Sequence, residues 1–173
     1  FSYSDVGHII GSAAVHLKIN DGKNETVVTF SGDVGRYNDE LLRAPETFAQ
    51  SDYVILESTY GDSLHEDARV IDKKLLDVIT NTCLKKRGKL VIPAFSVGRT
   101  QELVYALNRL EISKALPDID FFVDSPLSVE ATEVMKNHQQ GLNEKFQEFL
   151  KRDNEPFDFK RLHYIENVEE SKA

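Results

Sequence analysis

Three short polar clusters stand beside or at the ends of apolar runs, and each carries a residue able to bind a metal ion. Asp5-Val6-Gly7-His8-Ile9-Ile10-Gly11-Ser12 sets a histidine just ahead of an alternating apolar stretch, with glycines on both sides. Phe30-Ser31-Gly32-Asp33-Val34-Gly35 places an acid directly after an apolar run, again flanked by glycines. Leu56-Glu57-Ser58-Thr59-Tyr60-Gly61-Asp62 ends another apolar run on a carboxylate, whose burial would need a partner or a metal. Metal ions take deprotonated ligands that are free to converge, and strand-end carboxylates and a neutral imidazole meet that need. Each cluster also has a plainer reading. Alone, His8 is better read as a hydrogen-bonded turn histidine, Asp33 as a turn or capping residue, and Glu57 equally well as a helix cap or solvated strand end. Their order and spacing carry more than any one of them. The GHxxG spacing is a poor phosphate loop, since it leads into a strand pattern and has no Lys-Ser/Thr.

The elements that would hold these clusters fall into two rhythms. Near the start, Val15, Leu17 and Ile19 alternate with His16 and Lys18, the two-residue period of a half-buried strand over 12–20 with His16 on its polar face. Turn residues at 20–24 and an apolar stretch at 26–30 complete a hairpin. Residues 52–57 suit a buried strand. The period then lengthens. Ala68, Ile71, Leu75, Val78 and Ile79 predict a helix from about 64 to 86, stopped near Gly88. A buried strand is expected at 89–95, a helix at 97–112 with Leu103, Leu107 and Leu110 inward, and a strand at 119–124. Ser125-Pro126 opens a third helix, serine as cap and proline at the first helical position, with Leu127, Ala131, Val134 and Met135 as its inward face. A fourth helix carries Leu142, Phe146, Phe149 and Leu150, and a last strand is expected at 161–165. The fold class is α/β: a β-rich unit over 1–62, then a parallel strand–helix alternation over 63–173.

Composition narrows the function. Of 173 residues 40% are hydrophobic, enough to build a core. The net charge of −8 argues against a long basic surface for duplex DNA, although a local basic groove and bound metal can still receive a nucleic acid. No apolar run reaches membrane-spanning length, so no membrane partner is expected. The single cysteine, Cys83, excludes an internal disulfide and reads as a small core residue in a reducing, cytoplasmic setting. The opening on Phe1 rather than Met reads as an internal boundary of a longer protein.

Taken in order, the clusters resemble the later metal motifs of the metallo-β-lactamase fold in its β-CASP branch, the RNA-processing nucleases of the ribonuclease J and cleavage-and-polyadenylation endonuclease type. DVGHIIGSA resembles the family's AGHxxGSA, with Val6 in place of the usual Ala, and implies His8 as a metal ligand. FSGDVG resembles the motif whose Asp bridges two metals, here Asp33. LESTYGD resembles the acidic motif that begins the β-CASP insertion; Glu57 there is thought to orient a metal-binding or catalytic histidine, and His65 matches a histidine that lines the cleft. IPAFSVGRTQEL and VDSPL are typical of the insertion. The resemblance implies the C-terminal part of a metallo-β-lactamase unit over 1–62 and a Rossmann-like portion of a β-CASP region over 63–173. It implies two divalent metals in an intact relative, zinc with manganese as the alternative, and metal-assisted hydrolysis of single-stranded RNA. Arg99, Ser96 and Ser125 become candidate phosphate contacts, against a reading as helix caps and solvated surface that is at least as good. Glu rather than Asp in ESTYGD favours the RNA-directed branch over the DNA-directed one.

Family members also carry HxHxDH upstream and two further histidine motifs downstream. His8, His16, His65, His138 and His163 are the histidines here, and no pair has the HxH or HxxxDH spacing. The expectation is a piece of a ribonuclease that is inactive by itself, holds little or no metal, and self-associates through exposed strand edges. A second reading is a non-catalytic β-CASP scaffold or RNA-binding subunit; retention of His8, Asp33 and Glu57 disfavours it. A nucleotide-binding Rossmann protein is disfavoured because no GxGxxG follows a strand.

Overall fold

The computed structural model describes residues 1–64 and 71–172. The chain divides into two compact units, Phe1–Glu66 with Gly141–Lys145, and Asp67–Gln140 with Phe146–Ala173.

The first unit is a four-stranded sheet in the order β1-β2-β3-β4, formed by β1 (Ser2–Asp5), β2 (Ala13–Asn20), β3 (Glu25–Phe30) and β4 (Tyr53–Ile55). The expected hairpin is present: β2 and β3 pair antiparallel from Val15↔Phe30 to Asn20↔Glu25. Its turn is closed by Asn20 and Asp21 side chains that accept from the Gly22, Lys23 and Asn24 amides. Strand β1, which the sequence pattern does not reveal, pairs antiparallel with β2, and β4 pairs parallel with β3. Two expectations fail on burial. The more deeply buried face of β2 is that of Ala14 and His16, while Val15 and Leu17 are only half-buried. His16 is accepted there because both ring nitrogens are satisfied, Nδ1 with Thr29 Oγ1 at 2.7 Å and Nε2 with Ser4 Oγ at 3.0 Å. Strand β4 is exposed rather than buried, with Val54 53% accessible: it is three residues long and pairs on one side with β3. The core of this unit is Val6, Ala14, Leu41 and Leu42, with Thr29 and Ser31 as buried polar members.

The second unit is built on helices. Helix α1 (Ile71–Ile79) runs into a π-helical turn (Thr80–Lys85) whose ending is marked by Lys86 N–H donating to the Asn81 carbonyl. The start expected near residue 64 falls partly on 65–70, outside the described residues. Helix α2 (Arg99–Ile112) buries Val104, Tyr105, Ala106, Leu107 and Leu110. Strand β5 (Phe121–Asp124) pairs parallel with β6 (Leu162–Ile165), Phe121 opposite Leu162. Helix α3 (Pro126–Asn137) starts as expected, Ser125 Oγ accepting from Ser128 N–H. Its buried face is Ser128, Thr132 and Met135 rather than Leu127 and Val134, which are exposed. The reason is polar: the Gln101 amide of α2 donates to the Ser128 backbone carbonyl and to the Thr132 hydroxyl, which turns this face of α3 toward α2. Helix α4 (Glu144–Leu150) brings Phe146, which stacks on Phe157 and touches Tyr105. Helix α5 (Val168–Lys172) follows β6. Burial pushes the Tyr164 phenol up to about 12 while its hydroxyl donates to the Phe157 carbonyl.

The strand expected at 89–95 is not formed. Val91 is 85% and Phe95 83% exposed, and a cavity of about 590 Å³ lies among residues 89–94, α2 and β5. An apolar β-prone run supplies propensity, but a strand also needs a hydrogen-bonded neighbour, and β5 is paired with β6 alone among the described residues.

Candidate metal centre

In the first unit, the loop between β1 and β2 is laced to itself. Asp5 Oδ1 accepts from the Gly7 amide at 2.8 Å, and Ser12 Oγ accepts from the His8 and Ile9 amides at 3.0 and 3.2 Å. Val6 inside this loop is fully buried, so the backbone is pinned while the His8 imidazole stays half-exposed. Beyond β3, the second loop carries Asp33, whose side chain is 71% accessible.

Two glycines let these loops touch. A Cβ on Gly35 would lie 1.8 Å from the Gly7 carbonyl oxygen and 2.7 Å from the His8 nitrogen, and Gly35 N–H donates to the Val6 carbonyl at 2.7 Å. Gly7 in turn has φ +60 and would drive a Cβ to 2.2 Å from the Arg43 carbonyl. Only α-carbons that carry no side chain permit that approach. Its result is His8 Nε2 at 3.8 Å from Asp33 Oδ2. Two ligand atoms each about 2 Å from one zinc ion stand roughly 3–4 Å apart, so this pair fits two corners of a shared ion. It does not complete a cage: no group of three or more His, Cys, Asp or Glu side chains is gathered among the described residues.

Glu57 lies at the end of the β4 segment and reaches back to the Asp33 loop. Its Oε1 accepts from Val34 N–H at 2.8 Å and its Oε2 from Thr59 N–H at 3.3 Å. The Val34 bond, followed by the Thr59 bond, holds the Glu57 carboxyl below its ordinary range, against a smaller opposing effect of burial, with nearby His8 adding to the lowering. A lowered folded-state pKa stabilises the loop above the unfolded value and is lost as pH falls through the folded one. The Val34 amide is therefore expected to stay protected from exchange at pH 5 and to lose protection below the ordinary carboxylate range, ahead of the β2–β3 amides. Loss of both together under native-state exchange would contradict this.

The second unit holds the candidate phosphate contacts. Ser96 Oγ and Ser125 Oγ are 3.1 Å apart, so the starts of α2 and α3 meet. Gln101, 1% exposed, fixes the junction: its Oε1 accepts from Gly98 N–H, and its Nε2 donates to the Ser96 carbonyl as well as to α3. Arg99 is half-exposed and paired with Glu102. His65 lies outside the described residues. His138 bonds the Val134 carbonyl of its own helix, and His163 stacks on Phe122 beside Asp120. Sequence reasoning missed the Gly7–Gly35 approach, the Gln101 junction and the part played by Ser31, whose buried hydroxyl bonds Gly32 and Glu57. Glycines on both sides of Asp33 were the one available signal for the first.

A Beta-Casp domain model matches residues 100–173. The chain is 32% identical over 160 residues to an RNase J-like protein of Methanocaldococcus jannaschii, covering 91% of this chain and 37% of that protein. It is 31% identical over 172 residues to a ribonuclease of Thermus thermophilus, covering 99% of this chain and 38% of the relative. It is 30% identical over 166 residues to cleavage and polyadenylation specificity factor subunit 3-I of Arabidopsis thaliana, covering 95% and 23%. The chain thus spans less than two-fifths of the length of these curated relatives. The resemblance read from its motifs holds: residues 100–173 carry a Beta-Casp domain, and the chain is similar along nearly its whole length to β-CASP ribonucleases of the metallo-β-lactamase superfamily.

Proposed function

We propose that this chain contributes part of the catalytic centre of a metal-dependent hydrolase of single-stranded RNA, with the first unit as the metallo-β-lactamase part and the second as the β-CASP part. The observation that carries the reading is the approach of His8 Nε2 and Asp33 Oδ2 to 3.8 Å through the glycine contact between their loops. Two divalent ions, zinc or manganese, would supply charge to neutralise the scissile phosphate and activate water. His8 would hold one ion and Asp33 would be shared between both. Glu57 keeps the Asp33 loop in place through Val34 and orients a histidine supplied from elsewhere in the protein. Ser96, Ser125 and Arg99 contact RNA phosphates, with hydroxyls and guanidinium as donors at helix starts.

By itself the 173-residue chain is inactive, because a catalytic zinc site typically needs about three protein ligands and an open position. Zinc titration should show weak binding; two equivalents held at submicromolar affinity would contradict the incomplete site. The reading as a whole is tested on a longer protein containing this chain, assayed on single-stranded RNA and DNA with zinc or manganese. RNA cleavage is expected, falling at least about a hundredfold in Asp33→Asn as electrostatic stabilisation of the reacting phosphate is lost. Cleavage of DNA alone would overturn the substrate. The exposed edge and faces of β4 further lead us to expect self-association of the isolated chain; a monomer by sedimentation at about 100 μM would count against it.

A further inference from the structure

The buried hydroxyl of Ser31 has a second use for the site, one that neither the motif resemblance nor the β-sheet requires. Ser31 is 1% exposed and stands one residue beyond β3. Its amide donates to the Ile55 carbonyl at 3.0 Å and so extends the β3–β4 pairing past Phe30↔Ile55. Its Oγ donates to the Gly32 carbonyl at 2.6 Å and accepts from the Glu57 amide at 3.0 Å. The Gly32 peptide is the one that leads into Asp33, and Gly32 sits at φ +58. One hydroxyl therefore fixes the orientation of that peptide and the end of the strand that carries Glu57.

Glu57 then returns the favour from the other side, its carboxylate taking Val34 N–H at 2.8 Å. Asp33 is thus held between two tethers, Ser31–Gly32 before it and Glu57–Val34 after it, both anchored at residue 57. The carboxylate itself is mostly in solvent, and among the described residues the side chain that approaches it is His8, at 3.8 Å. Its placement depends on the backbone that carries it.

We propose that Ser31 is a positioning residue for Asp33, bracing the metal-binding loop against the Glu57 strand end. This rests on the reading of Asp33 as a metal ligand, but the brace and the metal can be tested separately. Ser31→Ala removes the hydroxyl with almost no change of volume, leaving the Glu57 amide and Gly32 carbonyl without their partner. In native-state hydrogen exchange on the full 173-residue chain, the Glu57 and Val34 amides should exchange at least about tenfold faster, with β2–β3 protection unchanged. Zinc affinity, followed at the His8 ring resonances, should fall about tenfold. Ser31→Thr, which keeps the hydroxyl, should restore both.

Unchanged Val34 exchange and unchanged zinc affinity in Ser31→Ala would overturn the proposal. So would acceleration spread evenly over β2 and β3, since that is general loosening and not a brace, or failure of Ser31→Thr to restore either readout. If zinc leaves His8 untouched in the unaltered chain, the metal reading fails, while Val34 exchange still decides whether Ser31 braces the loop.

Discussion

Gly35→Ala is expected to cost about 3 kcal/mol, the upper part of the range for forcing atoms into filled space, and to separate His8 from Asp33. The new methyl would stand 1.8 Å from the Gly7 oxygen and 2.2 Å from its carbonyl carbon. These are backbone atoms, so no side chain can rotate away, and the Gly7 loop is already pressed against the Arg43 carbonyl. The loops must part, and the Gly35–Val6 hydrogen bond goes with them. Gly22→Ala is the control. Gly22 has φ +88 but open space around its α-carbon, so only left-handed backbone strain applies, about 1–2 kcal/mol. Chemical denaturation should rank the two in that order, with the His8–Asp33 proximity lost in Gly35→Ala alone. Equal destabilisation would mean that strain, not loop contact, governs both sites.

The second large effect is expected at Gln101→Leu. The replacement fills nearly the same space, so packing is conserved while four polar contacts are lost. Gly98 N–H, the Ser96 and Ser128 carbonyls and Thr132 Oγ1 all bond the Gln101 amide. Thr132 keeps its own bond to the Ser128 carbonyl, which limits the orphaned groups. A buried unsatisfied polar group costs about 1–3 kcal/mol. With one buried donor and the Ser96 carbonyl as the main losses, about 3 kcal/mol is expected, near 10 °C in melting temperature. The Ser96–Ser125 contact should open with it. A melting shift below about 2 °C would show that water replaces the amide at no cost, and the α2–α3 seam would then not be what sets the buried face of α3.

These two sites also show where the sequence is and is not informative. Alternation and turn chemistry locate β2 and β3, because both are local properties of the chain. Ser125-Pro126 locates the start of α3 for the same reason. Side-chain burial is not local. His16 is inward because Thr29 and Ser4 come from two different neighbouring strands to meet its nitrogens. Likewise Ser128 and Thr132 are inward because Gln101 faces them from another helix. The apolar run at 89–95 looks like a strand from any local window, yet pairing depends on a neighbour that the pattern cannot name. At the site, motif order brings out His8, Asp33 and Glu57. The contacts that bring His8 and Asp33 together pass through glycine α-carbons and a serine hydroxyl, groups with almost no hydropathy signature.

The central claim is that His8 and Asp33 are two ligands of one ion. It is tested most directly by adding manganese alone to the 173-residue chain and following the His8 ring and Asp33 side-chain resonances. Selective broadening of both at the same concentration, abolished at His8 by Asp33→Asn, is the predicted result. Broadening that spreads over the acidic surface without preference, or that persists at His8 when Asp33 is gone, would contradict it.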